Sequence, residues 1–182
     1  RPKPVTIHAL GATITALKKY VFNWEIWPDF TVIPNADQPF MRYEEIAVGE
    51  VIDLGGRRIT VLPAVHTVPA VGYQFDSGKN SLVFTGDTGP NDALWEVVNK
   101  IENLRYLIIE TAFADKDRPL AELSKHLCPE MLGEELAKLT RPADIFITHL
   151  KPSEIELTMV EIEELATKTP PRLLENNHVF EF

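Results

Sequence analysis

Three stretches of the sequence end an apolar run with a side chain that can bind a metal ion. They are "VLPAVH", which ends at His66, "LVFTGD", which ends at Asp87, and "IFITH", which ends at His149. Neutral imidazole and carboxylate suit zinc, manganese or iron, and an aspartate can bridge two ions through its two oxygens. A single histidine after a strand is more often a hydrogen-bonded loop residue. The three residues together, in this order, indicate a metal site where strand ends meet at one rim of a sheet.

Hydrophobic periodicity predicts the elements that position these side chains. A short strand is expected around Val5 to His8, followed by a helix over "GATITALKKYV". From Phe40 to Asp87 the pattern predicts four or five short strands, with hairpin turns at "LGGR" and "DSGKN", where glycine supplies a positive φ. The first part of the chain is therefore rich in antiparallel β structure.

After Asp87 helical and strand patterns alternate. Helices are expected at "NDALWEVVNKI", "PEMLGEELAKL" and "SEIELTMVEIEELATK", and buried strands at "LRYLIIET" and "DIFITHL". The spacing of Ser153 and Glu156 predicts a capping box, and "HVFEF" predicts a terminal edge strand. The sequence thus predicts one α/β domain over residues 1–182, with a sheet covered by helices.

Composition limits the classes of protein that this sequence can encode. A chain of 182 residues with 45% hydrophobic residues can bury a core as one soluble domain, and no apolar run approaches the roughly 18 residues of a membrane span. The net charge of -9, without a basic block, argues against long nucleic acid as a partner. The single cysteine excludes an internal disulfide and a cysteine-cluster zinc site.

Longer segments resemble a known family. "RRITVLPAVHTVPAVGYQF", "SLVFTGDTGP", "YLIIETAF" and "IFITHLKP" resemble the second half of the metallo-β-lactamase superfamily in sequence and order. "VFNWEIWPDF" resembles a segment of class II cyclic-nucleotide phosphodiesterases. The resemblance implies an αββα sandwich, of which this chain would be the C-terminal larger part.

The resemblance also implies roles for individual residues. His66 would bind one metal ion, Asp87 would bridge two, and His149 would bind the second; the ions implied are divalent, with Zn²⁺ first and Mn²⁺ or Fe as alternatives. Glu110 and His126 occupy positions like those of a catalytic glutamate and histidine pair, although an ordinary salt bridge and a helix-edge histidine are the alternatives for these two residues. A carboxylate beside an imidazole fixes its tautomer and raises its pKa, which suits a general acid.

The superfamily's histidine-rich cluster, in which two histidines alternate with other residues before an aspartate and a further histidine, has no match in the sequence. In the family this cluster precedes a helix and a strand like "PVTIHAL". We therefore expect that the domain is truncated at its N-terminus or has lost its first metal-binding motif. Three remaining ligands would not complete a two-metal site.

If the cluster lies upstream, the resemblance implies a phosphodiesterase that hydrolyses 3′,5′-cyclic nucleotides, cAMP or cGMP, to 5′-monophosphates through a hydroxide that bridges the two ions. A tRNA 3′-processing endonuclease and a lactonase or thioesterase are the enzymatic alternatives, and a non-catalytic interaction or dimerisation module is an alternative of another class. The expected partner is a small cyclic nucleotide, without long nucleic acid or membrane, and a homodimer stays open. A cytoplasmic location is expected, with the bacterial periplasm as the alternative.

Overall fold

The computed structural model describes residues 3–182, which contain two compact units, one ending at Ala47 and the other spanning Val48–Phe182. The helices, in chain order, are α1 (Gly11–Tyr20), α2 (Asp92–Val98), α3 (Arg118–Ser124), α4 (Pro129–Leu136) and α5 (Ile155–Glu163). The strands are β1 (Val5–Ala9), β2 (Met41–Glu45), β3 (Val51–Asp53), β4 (Arg58–Pro63), β5 (Val71–Asp76), β6 (Ser81–Phe84), β7 (Leu104–Glu110), β8 (Asp144–Thr148) and β9 (Arg172–Leu173).

The first unit pairs β1 with β2 in parallel, so that Val5 faces Met41 across the ladder. Helix α1 connects these strands in part, and its Ile14 is buried. The side chains of Trp24 and Trp27, in the aromatic segment after α1, are largely exposed. Within the described residues of this unit, the aromatic segment therefore offers its indole rings to solvent.

The second unit is built on a seven-stranded sheet in the order β3-β4-β5-β6-β7-β8-β9. Strands β3 to β6 are antiparallel neighbours, and β6, β7, β8 and β9 run parallel. The hairpin turns expected at "LGGR" and "DSGKN" join β3 to β4 and β5 to β6. The carboxyl ends of β4, β6, β7 and β8 consequently meet at one edge of the sheet.

One face of this sheet carries the main hydrophobic core, which packs buried side chains of β6, β7 and β8 against α2 and α4. A buried carboxylate links these two helices, because Glu135 of α4 accepts hydrogen bonds from the Asn91 amide at 3.0 Å and from the Trp95 indole at 2.7 Å. The opposite face holds a smaller cluster around Leu82, Ile108 and Phe146. Helices α2 and α4 thus pack against the strands that lead to Asp87 and His149.

Two expectations about elements are corrected. Helix α5 begins at Ile155 with Glu154 as its N-cap and no side-chain cap, so Ser153 and Glu156 form no capping box. Ser153 lies instead in a turn in which the Glu154 amide donates to the Lys151 carbonyl at 2.9 Å. The segment "HVFEF" forms no ladder with any described residue, and the outer strand of the sheet is β9.

The sequence patterns also missed one helix, α3, which follows a 3₁₀ turn at Asp115–Asp117. This helix has only seven residues, which is too short for a clear helical periodicity in the sequence. Pro119 lies in its first turn, a position that proline favours, but a proline alone does not predict a helix. Among residues 3–182, none of the helices is both long and apolar enough to cross a bilayer.

Candidate metal centre

The candidate site lies at the carboxyl edge of the central strands. Pairing of Phe84 with Ile108 and of Glu110 with Thr148 aligns the ends of β6, β7 and β8. Asp87 follows β6, Glu110 is the last residue of β7, and His149 follows β8. The parallel register of the sheet therefore delivers three of the expected site residues to one place.

Hydrogen bonds between loops bring His66 to the same place. The Val65 amide donates to the Thr88 hydroxyl at 2.9 Å, and the Gly89 amide donates to the Val65 carbonyl at 2.8 Å. The Asn91 side chain also donates to the Pro63 carbonyl at 3.0 Å. These bonds join the loop after β4 to the loop after β6, so that His66 lies beside Asp87.

His66, Asp87 and His126 form a group whose candidate ligand atoms all lie within 4.8 Å of one another. The Nε2 atoms of His66 and His126 are 3.3 Å apart. Ligand atoms that share one tetrahedral zinc ion at about 2.1 Å lie about 3.4 Å from each other, so this spacing fits a divalent cation. The imidazole and carboxylate donors also fit zinc, manganese or iron by type.

His149 lies next to this group. Its Nδ1 atom is 3.7 Å from Asp87 Oδ1, and its ring stacks on that of His126 with 5.1 Å between centroids. The backbone of His149 has a φ of 65°, a left-handed conformation that is uncommon for a residue with a side chain. Such a conformation at the end of a buried strand is typical of residues that a structure holds for function.

His126 is oriented by a buried carboxylate. Glu110 is fully buried, and its Oε1 atom lies 2.7 Å from His126 Nδ1. The same carboxylate accepts the Thr88 amide at 3.0 Å and the Leu127 amide at 3.4 Å. The hydrogen bond to Glu110 places a proton on His126 Nδ1, which leaves Nε2 facing the other candidate ligands.

The hydrogen bond that His126 donates to the Glu110 carboxylate raises the pKa of His126 above its ordinary value, while partial burial acts in the opposite direction. The negative charge of Asp87 adds to the increase, and the positive charge of Lys151 reduces it. The imidazole thus holds a second proton more readily than a free histidine does. This is the property that a proton donor near neutral pH requires.

All five residues expected from the sequence, His66, Asp87, Glu110, His126 and His149, lie in this one cluster. The geometry also places His126 close enough to His66 and Asp87 to act as a metal ligand. Sequence patterns gave no indication of Thr88, which connects three segments through its hydroxyl and amide, because these contacts depend on tertiary structure.

Comparison with known proteins defines the class of this chain. Residues 7–172 match the family described as the beta-lactamase superfamily domain, and the chain belongs to that family. The expected membership of the metallo-β-lactamase superfamily is thereby confirmed.

Two curated relatives are similar to the chain in sequence. A protein of Yersinia pestis named "Probable 3',5'-cyclic-nucleotide phosphodiesterase" is 29% identical over 172 residues, which cover 81% of this chain and 50% of the relative. A protein of Aliivibrio fischeri named "3',5'-cyclic-nucleotide phosphodiesterase" is 28% identical over 174 residues, which cover 81% of this chain and 52% of that relative. The chain spans about half the length of these relatives.

The crystal structure of unliganded yeast PDE1 is similar in fold, with a TM-score of 0.78 and 20% sequence identity. The likeness covers 94% of this chain and 58% of the yeast chain. The expected α/β fold of the metallo-β-lactamase type is confirmed, as is the resemblance to cyclic-nucleotide phosphodiesterases.

Proposed function

We propose that this chain is part of a metal-dependent phosphodiesterase that hydrolyses 3′,5′-cyclic nucleotides to 5′-monophosphates. The observation that carries the proposal is the buried Glu110 carboxylate, bonded to His126 at 2.7 Å, with His126 Nε2 lying 3.3 Å from His66 Nε2. A candidate proton donor, His126, thus lies beside side chains that can bind a metal ion. The names of the two curated relatives support the choice of cyclic nucleotides as the substrate class.

His66, Asp87 and His149 are the residues that would hold the divalent cations. Zn²⁺ suits this combination of imidazole and carboxylate, and Mn²⁺ or Fe are compatible with it. When bound, such ions lower the pKa of water and offset the charge that builds on phosphate oxygens.

His126 and Glu110 together supply the proton that the leaving 3′ oxygen takes up. The oxygen of a water molecule forms a bond to phosphorus and loses a proton to solvent, and the bond between phosphorus and the 3′ oxygen breaks. His126 Nε2 donates a proton to the 3′ oxygen and takes up another from solvent after product forms. Glu110 keeps the imidazole in the orientation that presents Nε2, and it stabilises the charged imidazolium before transfer. The product is a nucleoside 5′-monophosphate with a free 3′ hydroxyl.

The net charge of -9 favours a small substrate over tRNA, because the sequence contains no basic block of the kind that tracks a polynucleotide. A precursor tRNA, a thioester and bis(p-nitrophenyl) phosphate separate the alternatives in one set of assays. Cleavage of the precursor tRNA at moderate salt, equal to that of cyclic nucleotides, would favour the endonuclease. Thioester hydrolysis without hydrolysis of the phosphodiester would favour the other hydrolases.

The decisive test is His126→Ala in the full-length protein reconstituted with Zn²⁺ or Mn²⁺. Removal of a general acid lowers turnover by about 10²- to 10⁴-fold, and we expect the metal content to stay unchanged. Turnover of cyclic AMP and cyclic GMP is followed by product chromatography, and bound metal by elemental analysis. His178→Ala is the matched control, since this exposed histidine packs on Phe146 and Phe180 outside the cluster.

Joint loss of turnover and metal in His126→Ala would show that His126 is a metal ligand and would contradict its role as the acid. A reconstituted wild-type protein that binds less than one ion and hydrolyses none of these substrates would favour the non-catalytic interaction module.

A further inference from the structure

A cavity of about 380 Å³ opens beside His126 and His149. Phe113, Leu150 and Pro152 give it apolar walls, and Lys151 contributes a charged side chain to its lining. Pockets that bind small molecules commonly combine apolar walls with a few polar groups of this kind. The cavity therefore extends the candidate metal centre toward a place where part of a substrate can lie.

The ammonium group of Lys151 lies over an aromatic ring in this cavity. Its Nζ atom lies 3.7 Å from the centroid of the Phe113 ring, within the range of a cation–π interaction. Phe113 is only 5% exposed and belongs to the main core, so the ring is a rigid support. Phe113 also contacts His126, with 5.9 Å between ring centroids. Lys151 is thus held on the same ring that borders the proposed acid.

Lys151 has no carboxylate within ion-pair distance among residues 3–182, although the chain has 27 acidic residues. Lys116 and Lys138, in contrast, bind Glu154 and Asp92 at 2.5 and 2.6 Å. An exposed ammonium group without a protein anion, next to this cluster, is available to an anionic ligand.

We infer that Lys151 is a substrate-binding residue that contacts the phosphate group of the nucleotide, and that it binds the product more strongly than the substrate. The inference rests on the proposed function. A cyclic phosphodiester carries one negative charge, whereas the 5′-monophosphate carries close to two at neutral pH. A fixed ammonium group gains more from the second charge, so it stabilises the product and the charge that develops on the way to it.

The test compares three variants of the full-length, metal-reconstituted protein: Lys151→Gln, Lys151→Arg and Lys168→Gln. Lys168 is the matched control, because it is exposed on the same unit and has no described ion pair. Binding of adenosine 5′-monophosphate and of uncharged adenosine is measured by calorimetry. kcat and KM for cyclic AMP are measured with the same preparations.

We expect Lys151→Gln to weaken binding of the monophosphate by about ten-fold, the loss typical of one hydrogen bond to a charged group, and to leave adenosine binding unchanged. Lys151→Arg restores most of the affinity, and Lys168→Gln behaves like the wild type. Monophosphate affinity in Lys151→Gln within about two-fold of the wild type, or a wild type that does not bind the monophosphate, overturns the inference.

The outcomes for Lys151 and for the proposed function are separable. A wild type without turnover of cyclic nucleotides contradicts the proposed function, whereas the monophosphate comparison still decides the role of Lys151. Normal wild-type turnover with equal monophosphate affinities in all variants contradicts only the role of Lys151.

Discussion

At the residue scale, the carboxylate of Glu110 has the largest influence on the candidate site. It is fully buried and makes three hydrogen bonds, to His126 and to the amides of Thr88 and Leu127. A buried carboxylate is tolerated when its oxygens are satisfied in this way. The same bonds set the orientation and the protonation of His126.

Glu110→Gln should therefore lower the pKa of His126, because the substitution replaces the carboxylate whose hydrogen bond and negative charge raise it. In the metal-free protein, the raised folded-state pKa gives a stabilising contribution that is complete below the unfolded pKa and is lost as pH rises through the folded pKa. We expect this pH-dependent contribution to shrink in Glu110→Gln. NMR titration of His126 measures the change in its pKa, and urea unfolding at several pH values measures the change in the pH-dependent stability.

Glu134→Gln is the control for this measurement, since Glu134 is an exposed carboxylate that pairs with Arg118 at 3.3 Å on the surface. An unchanged His126 titration in Glu110→Gln would contradict the role given to the buried carboxylate. Such a result would show that the hydrogen-bonded geometry alone, without the charge, sets the protonation of the imidazole.

Residue types at strand ends were enough to predict His66, Asp87 and His149 as site residues, and a family resemblance added Glu110 and His126 to that prediction. The sequence did not indicate Lys151 or Phe113. Lys151 acquires its environment from the Phe113 ring, which belongs to a different strand end, and no local pattern encodes that contact. Contacts of this kind depend on the tertiary fold, and local sequence patterns therefore do not predict them.

At the element scale, the turn after β6 holds Asp87 in place through close backbone contacts. Gly86 has a φ of 64°, and a Cβ atom at this position would lie 2.7 Å from the carbonyl oxygen of Val71. Gly72 faces the same turn, where a Cβ atom would lie 2.7 Å from the carbonyl oxygen of Thr85. The approach of β5 to this turn thus requires glycine on both sides.

Gly86→Ala should lower both stability and metal affinity. The left-handed backbone alone costs a non-glycine residue about 1–2 kcal/mol, and the contact with Val71 adds to this cost. Gly56→Ala is the matched control, because Gly56 has a φ of 89° with nothing near its Cβ position. Urea unfolding and zinc titration compare the two variants, and equal losses in both would contradict a specific role for the close contact.

Strands and hairpins were predicted well because alternating β-branched residues and glycine turns are local signals. The end of the chain was not, because Phe180 and Phe182 pack their rings on Tyr106 instead of extending a ladder. The capping box failed for a related reason. Glu154, the actual N-cap of α5, forms an ion pair with Lys116, a contact from outside the local pattern.

At the scale of the whole molecule, metal binding should stabilise the fold. A ligand that binds only the folded state at 100 times its dissociation constant adds about 2.7 kcal/mol to the unfolding free energy. We expect such an increase when Zn²⁺ is added to the full-length, metal-free protein and expect most of it to be lost in Asp87→Asn. Denaturant unfolding with and without a chelator measures the effect.

Asp144→Asn serves as the control, since Asp144 is an exposed carboxylate at the start of β8 with Arg172 at 3.4 Å. Equal stabilisation of Asp87→Asn and the wild type by Zn²⁺ would place the bound metal away from His66, Asp87 and His149.

The carboxylate of Glu110 also couples the opening of two loops, the one that contains Thr88 and the one that contains Leu127. The amides of Thr88 and Leu127 lie in loops, yet both donate to this one buried group. Neither loop can open alone without leaving a buried charge with a missing partner, so the two loops form one cooperative opening unit. The amide hydrogens of Thr88 and Leu127 should therefore exchange with deuterium at matching, slow rates, which makes amide exchange a reporter of the integrity of the site without any substrate.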